Sequence, residues 1–463
     1  MPEVSRMQTN LADLLLDHPY RDDAGLIHTV DHTVTAGDAK AAARDVAARL
    51  GDMSGRAIAV QMPNGAELVS TMAGVWAAGG LYVPLNPRLP AAETGSVVEA
   101  LRPAAIVTPD GIERLPEPAA TEPGVAFVLW TSGTTGAPKP VFHTHDAYLE
   151  LLDRVLRPLR GRAAGGNDAT RPTPNLIPVS MALNAGLYNT LFGLRAGAEL
   201  VIMDRFDPGT FAELVVRFGI RSTVLPPAAM AMLNDSDVTD LGPLTYVRSI
   251  TAPLSPLQAR RFTARYGVHV LNSYGQTEIG EVIGWTAADA REHPDKVGAA
   301  GRPHPGVDIR LGGDGHLLVR PPNTATGLDD RTDEDGFVDT GDLARIDDDG
   351  FVWIEGRASD MINRGGNKIF PDAVEEVLRL SDSVDDAAVV GAPDDRLGEV
   401  PVAYLAGTPV PDDELVALCR EHLVAYKVPV AFHWVTEIPR NEAGKVLRRE
   451  LRGEEPDIRP APT

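Results

Sequence analysis

One cysteine, Cys419, is all the thiol chemistry this 463-residue chain contains, which excludes a disulfide framework. It lies in "DDELVALCREHL", whose apolar spacing predicts an amphipathic helix, so the thiol is expected to pack as a small hydrophobe. Long hydrophobic runs are missing too. The N-terminal stretch "MPEVSRMQTNLADLLLDHPYRDD" has no uninterrupted apolar core of the secretory type, and nothing later approaches the ~20 apolar residues of a membrane span. Both absences predict a cytoplasmic protein without a membrane span. Basic charge is scarce: 43 Lys and Arg stand against 65 Asp and Glu, a formal charge of -22 that repels nucleic-acid phosphates and anionic lipid head groups. Nucleic acid is therefore excluded as a partner. Aromatic residues make up only 5%, whereas 44 glycines and 38 prolines spread along the chain mark a globular protein with many tight turns.

What is present is a rhythm. From Arg56 onward, short β-rich runs ("AIAVQM", "AAIVTP", "AFVLW", "NLIPV", "ELVIM", "STVLP") alternate with helical stretches such as "GAELVSTMAGVWAAGG", "AYLELLDRVLRPL", "GTFAELVVRFG" and "SPLQARRFTARYG". That alternation predicts parallel-rich sheets flanked by helices, an α/β fold. After Pro294 the pattern turns to short strands broken by Gly and Asp, as in "GVDIRLGGDGHLLVRPP", which predicts hairpins and a β subdomain. A compact α+β segment follows, from "FPDAVEEVLRL" to "GKVLRREL". The length fits two or three domains. The expected division is a large N-terminal domain over 1–356 and a small C-terminal domain over 357–463, joined at the glycine-containing loop "GRASDMINRGG" near Ser359.

The stretch "WTSGTTGAPKP" carries the first chemical signal. It follows the strand "AFVLW", and open α/β sheets bind ligands beyond the carboxyl ends of their strands. In Thr131, Ser132, Gly133, Thr134, Thr135 and Gly136, glycines let backbone N–H groups turn toward an anion and hydroxyls donate to phosphate oxygens, while Lys139 adds a point charge. It departs from the mononucleotide P-loop, since Pro138 and Pro140 stand where that pattern needs a glycine and a hydroxyl residue. A Ser/Thr/Gly surface turn is the plainer reading of the composition alone.

The full string "LWTSGTTGAPKPVFHTH" resembles the phosphate-loop motif of the adenylate-forming superfamily, which comprises acyl- and aryl-CoA synthetases, carrier-protein adenylation domains and luciferase. Further motifs follow in that family's order: "SYGQTE", "DTGDLARIDDDGFVWIEGR", "INRGGNKIFPDAVEEVL" and "IPRNEAGKVLRREL". The resemblance runs from Ala57 to Leu451. It implies an AMP-forming acid–thiol ligase that uses ATP, Mg²⁺ and coenzyme A: a carboxylate attacks the α-phosphate, pyrophosphate leaves, and a thiol then takes the acyl group.

Joining two anions requires cations and dipoles to offset their repulsion. By the resemblance, the Thr131 to Gly136 loop and Lys139 hold the β- and γ-phosphates, Thr277 contacts the α-phosphate and Glu278 holds Mg²⁺, a hard cation that suits a carboxylate. Tyr274 and Gly275 line adenine, as do Thr251 and Ala252, although the glycines common in that segment are missing. Asp342 accepts the ribose hydroxyls, with Arg357 beside it. Lys445 stabilises the in-line transition state. Gly365 and Gly366 line the pantetheine passage after the small domain has turned. The family's pivot position, usually Asp or Lys, is Ser359 here, with Asp360 next to it.

The acid pocket is the least informative part. In "SMALNAGLYN" the family's aromatic–His pair is replaced by Ala182 and Leu183, and Leu183, Asn184 and Gly186 become the candidate lining. The absence of a carboxylate there disfavours an amino-acid substrate and leaves a medium-chain, long-chain or aryl acid. Asn184 is open to two readings, a hydrogen bond to the substrate or a helix cap. Delivery to an acyl carrier protein or a nitrogen nucleophile is the alternative second half-reaction. A nucleotide-binding regulatory protein without turnover is the alternative from another class.

Overall fold

A computed structural model of the chain describes residues 10–89, 91–132, 138–163, 172–325, 328–440 and 445–453. The centre of the N-terminal part is a six-stranded sheet in the order Gly111–Arg114, Ala105–Thr108, Ala57–Gln61, Leu81–Leu85, Val125–Ser132, Pro138–Thr144. Its middle strands are parallel, with Ala57–Gln61 paired to both Leu81–Leu85 and Ala105–Thr108. Ala57, Ile58, Ala59 and Val60 are all buried, as expected of a parallel strand covered on both faces. The helix Ala66–Ala77 that follows is apolar almost all round and runs through the core, where Trp76 donates its indole N–H to the carbonyl of Ala126 at 2.7 Å.

A second, four-stranded sheet contains Gly25–His28, Thr33–Thr35, Asn175–Ile177 and Leu200–Ile202. A third runs Ser222–Val224, Tyr246–Ser249, His269–Gln276, Gly280–Gly284, Arg302–Pro303, parallel at first and antiparallel from His269–Gln276 onward. The helix boundaries follow local chemistry. Asp207 accepts from the N–H of Thr210 with Pro208 in the first turn, and Ser255 accepts from Gln258 with Pro256 likewise. The six strands and four helices expected from the α/β rhythm are all present, and the fold is α/β with parallel-rich sheets. The first two strands, Gly25–His28 and Thr33–Thr35, precede the point where that rhythm becomes visible in the sequence.

The expected β subdomain is an antiparallel meander, Asp308–Leu311, His316–Arg320, Val338–Ile346 and Val352–Arg357. The last sheet joins Ile362–Arg364, Asn367–Ile369, Val384–Asp394, Gly398–Gly407 and Ala431–Trp434 and is packed by the helices Pro371–Leu378 and Asp412–His422 around its own core. Cys419 is buried in that core, and burial pushes its thiol up to about 11, so it is an inert hydrophobe. Among the described residues no strand ladder joins this sheet to the one ending at Arg357. No helix among them is long and apolar enough to cross a membrane.

Candidate active site

The strand Val125–Ser132 pairs antiparallel with Pro138–Thr144, and the ladder closes at Ser132 opposite Pro138. Gly133, Thr134, Thr135 and Gly136 lie outside the described residues. The strand containing Pro138 and Pro140 is the edge of its sheet, where two prolines spaced by two residues leave their missing N–H groups on the unpaired side. A sheet edge is where proline is tolerated within a strand.

The hairpin His269–Gln276 to Gly280–Gly284 supports the next group. Its register shifts between Tyr274 and Gly275, and a Cβ at Gly275 would stand 2.2 Å from the carbonyl oxygen of Gly280. Only glycine allows the two arms to approach so closely. Thr277 and Glu278 occupy the turn beyond it.

From this hairpin Tyr274 reaches across to the β meander and donates its hydroxyl to Asp342 Oδ2. Gln276 Nε2 donates to the same oxygen at 3.0 Å and to the carbonyl of Thr340 at 2.7 Å. Asp342 Oδ1 faces Arg357 Nε at 2.7 Å, the two residues being Cα partners across the meander. Asp342 is buried, and three donors from two sheets converge on it. Burial and the adjacent Asp342 charge raise the Tyr274 phenol well above its ordinary range, so it remains a donor.

Glu278 lies 3.5 Å from the guanidinium of Arg331, which also donates to Gln276 Oε1 at 3.0 Å. Glu278 borders a small cleft together with His143, Ala147, Tyr148, Leu151 and Thr324. From the C-terminal segment, Lys445 enters the same field. Its side chain keeps access to solvent, yet the protein around it holds the ammonium below the ordinary lysine value, first through loss of hydration and then through the nearby Arg357 cation. Asp342, Glu278 and Asp360 act in the opposite direction. Three acidic groups and two cations from three separate stretches therefore share one electrostatic environment.

The remaining candidates divide. Thr251 has φ 78, a left-handed conformation that costs a β-branched residue of order 1–3 kcal/mol. The backbone thus keeps a glycine-type turn although the glycine is missing. Ala252 follows it in the bend. Leu183 is the N-cap residue of the helix Asn184–Ala196, with no side-chain cap, so Asn184 is not the cap and instead accepts from the Tyr148 hydroxyl at 3.4 Å. Gly186 is buried, and a Cβ there would stand 2.1 Å from the carbonyl oxygen of Ser180, which marks it as a packing contact of the first helical turn. Gly365 and Gly366, at φ 59 and 90, form the turn of the hairpin Ile362–Arg364 to Asn367–Ile369, a geometry that favours glycine at both places. Ser359 is exposed in the turn after Arg357, while Asp360 lies 3.8 Å from Arg448.

A model of the AMP-binding enzyme family matches residues 18–123 and 111–327, and a model of the AMP-binding enzyme C-terminal domain matches 373–445. This chain belongs to the AMP-binding enzyme family. It is 30% identical to a 2-succinylbenzoate–CoA ligase of Bacillus cytotoxicus, over 86% of this chain and 88% of that protein. It is 29% identical to a long-chain-fatty-acid–CoA ligase of Mycobacterium tuberculosis, over 88% and 90% of the two chains. The fold is that of o-succinylbenzoate CoA synthetase from Bacillus subtilis, solved in complex with its acyl-adenylate, at a TM-score of 0.84 and 24% identity over 97% and 99% of the chains. The family member described here is an AMP-forming CoA ligase: ATP converts a carboxylic acid to its adenylate, and the acyl group passes to a thiol.

Three participants escaped the sequence. Gln276 is the variable position of "SYGQTE", and its role rests on where Asp342 lies. Arg331, between the motifs, carries no local signal. Arg448 sits in the terminal lysine motif, and its bonds to Asp372 and Glu375, at 2.7 and 2.6 Å, anchor the segment that presents Lys445.

Proposed function

We propose that this site binds ATP across the seam between the Tyr274 hairpin and the Asp342 strand and joins it to a carboxylic acid in two half-reactions. In the first, a carboxylate oxygen attacks the α-phosphorus, the bond to the bridging oxygen breaks, and pyrophosphate leaves. In the second, the sulfur of coenzyme A attacks the acyl carbonyl, its proton passes to solvent, and AMP departs. Asp342 and Arg357 hold the ribose, Tyr274 and Gly275 line adenine with Thr251 and Ala252 opposite, and Thr277 contacts the α-phosphate. Thr131 to Gly136 and Lys139 hold the departing pyrophosphate half. Lys445 bridges the acid carboxylate and the α-phosphate.

Among the described residues no group of three or more Asp, Glu, His or Cys forms a metal cage, and Glu278 stands as a single carboxylate bordering the cleft. That donor set fits Mg²⁺, which takes one or two carboxylates and completes its shell with phosphates and water. Mg²⁺ would supply charge neutralisation on the phosphates. Glu278 would hold it, with Arg331 3.5 Å from the Glu278 carboxylate to orient that side chain.

The second half-reaction requires Lys445 to withdraw. We propose a pivot near Ser359, an exposed residue close to the boundary of the domains 1–356 and 357–463. Gly365 and Gly366 then face the pantetheine arm. The acid is a medium-chain, long-chain or aryl acid bound beside Leu183 and Asn184.

The observation that carries this reading is the convergence of Tyr274, Gln276 and Arg357 on the buried carboxylate of Asp342, with Lys445 in the same charge field. The test is product analysis after mixing enzyme, ATP, Mg²⁺ and a panel of acids, with and without coenzyme A. Coenzyme A should stimulate AMP release and yield the thioester. Pyrophosphate release without that stimulation overturns coenzyme A as acceptor and leaves a carrier protein or an amine.

A further inference from the structure

The helix His145–Ala163 starts next to the phosphate-loop strand, and its residues Ala147 and Leu151 border the Glu278 cleft. Leu151 packs on Gly280. Arg154 is the next residue on that stripe, about 10 Å further along the helix from Ala147. It is 5% exposed, and among the described residues none of its three guanidinium nitrogens has a hydrogen-bond partner. Buried arginines are ordinarily paired, because an unpaired cation out of water is costly.

Among the described residues no carboxylate comes within ion-pair distance of Arg154, although the charges of Glu150, one helical turn before it, and of Glu281 act on it. Asp153 is held by Arg195 at 2.7 Å. Glu281 is held by Arg248 at 2.5 Å and by His304 at 2.9 Å. Glu150 accepts from Asn323 at the surface, at 2.6 Å. Opposite Arg154 stands Tyr188, one helical turn beyond Asn184, and its buried hydroxyl also has no partner among the described residues. Glu281, Arg248 and Arg154 all act on that phenol. With Glu281 held by Arg248 and Glu150 by Asn323, the guanidinium of Arg154 and the hydroxyl of Tyr188 remain without an acceptor among the described residues. An anion would satisfy both donors.

We infer that Arg154, with Tyr188, receives a second anionic group at the far end of the acid, so that the substrate is a diacid or an acid ending in another small oxyanion. The inference rests on the ligase reading above and specifies its substrate class. The carboxylate to be adenylated lies by Glu278 and Lys445, and the second anion lies along the helix at Arg154. Burial of the guanidinium lowers its pKa, and the charges of Glu150 and Glu281 only partly offset that loss of hydration.

The test compares chain-matched pairs, saturated monocarboxylic acids and α,ω-dicarboxylic acids of roughly six to ten carbons, matched to the span of about 10 Å. CoA-dependent AMP formation and calorimetric binding in the presence of a non-hydrolysable ATP analogue are both measured. Wild-type enzyme should favour the diacids roughly 10- to 100-fold in kcat/KM and in affinity, the value of a charge-assisted pair. Arg154→Leu should abolish or reverse the preference, Arg154→Lys should retain part of it, and Tyr188→Phe should lose a smaller share. A wild type that prefers monoacids overturns the inference while the ligase reading stands. If no acid is adenylated, the ligase reading fails, and the calorimetric preference alone decides the role of Arg154. Loss of folding in both Arg154 variants would make it a structural cation and overturn the inference.

Discussion

Arg357 Nε and Asp342 Oδ1 are 2.7 Å apart, paired across the two strands after which the chain leaves the N-terminal part. The last strand residue before the proposed pivot is thereby tied to the carboxylate that Tyr274 and Gln276 also contact. The proposed ribose contact and the proposed pivot therefore meet at one buried acid.

Asp342→Ala should therefore do more than remove a ribose acceptor, since it leaves three donors without their common partner. The expected result is a KM for ATP raised about tenfold or more, with a further fall in the adenylation rate. Steady-state pyrophosphate release at varied ATP checks this. An unchanged KM would remove Asp342 from the nucleotide site.

Lys445→Ala should reduce adenylate formation ~10²-fold or more, the usual cost of one transition-state contact. Thioester formation from a supplied acyl-adenylate should be far less affected. The pH profile adds an independent check. Because the folded environment lowers the pKa of Lys445, the ammonium is lost as pH rises through a value below that of a free lysine. The alkaline limb of adenylation should fall there and be absent from the variant's residual rate.

At Gly275 a methyl group would collide with the Gly280 carbonyl rather than with a flexible side chain. Gly275→Ala should displace the hairpin at a cost of about 1–3 kcal/mol and weaken ATP binding through Tyr274. Thermal melting with and without ATP separates the two effects: the melting temperature falls, and the ATP-induced rise shrinks.

Arg448 binds Asp372 and the buried Glu375, whose carboxylate also accepts from the N–H of Val389 at 2.8 Å. Arg448→Ala leaves Glu375 without this cation and should destabilise the C-terminal part by about 3–5 kcal/mol. Arg448→Lys should recover only part, since one ammonium cannot span both carboxylates as a guanidinium does. Denaturant unfolding measures both. Equal stability of wild type and Arg448→Ala would refute the anchoring role.

Much of the fold was legible because its signals are local. Apolar runs of strand length, helical periodicity, and proline or glycine at their ends act within a few residues, and they marked the α/β rhythm and the helix at Cys419. The phosphate-loop and lysine motifs were legible for the same reason: backbone turns, hydroxyls and a charge must sit at fixed spacing. Asn184 shows the limit, because the choice between a cap and a pocket residue turns on which residue begins the helix, and that residue is Leu183.

By itself the sequence determined the family, the two half-reactions and the residue types available to them. The tertiary structure alone decided how those residues are used. Asp342 draws donors from two sheets, Thr251 adopts a glycine-like turn, and Arg154 is enclosed without a hydrogen-bond partner among the described residues. Each of these depends on contacts between residues far apart in the chain, where desolvation and charge act through space, and no spacing within the sequence encodes that distance.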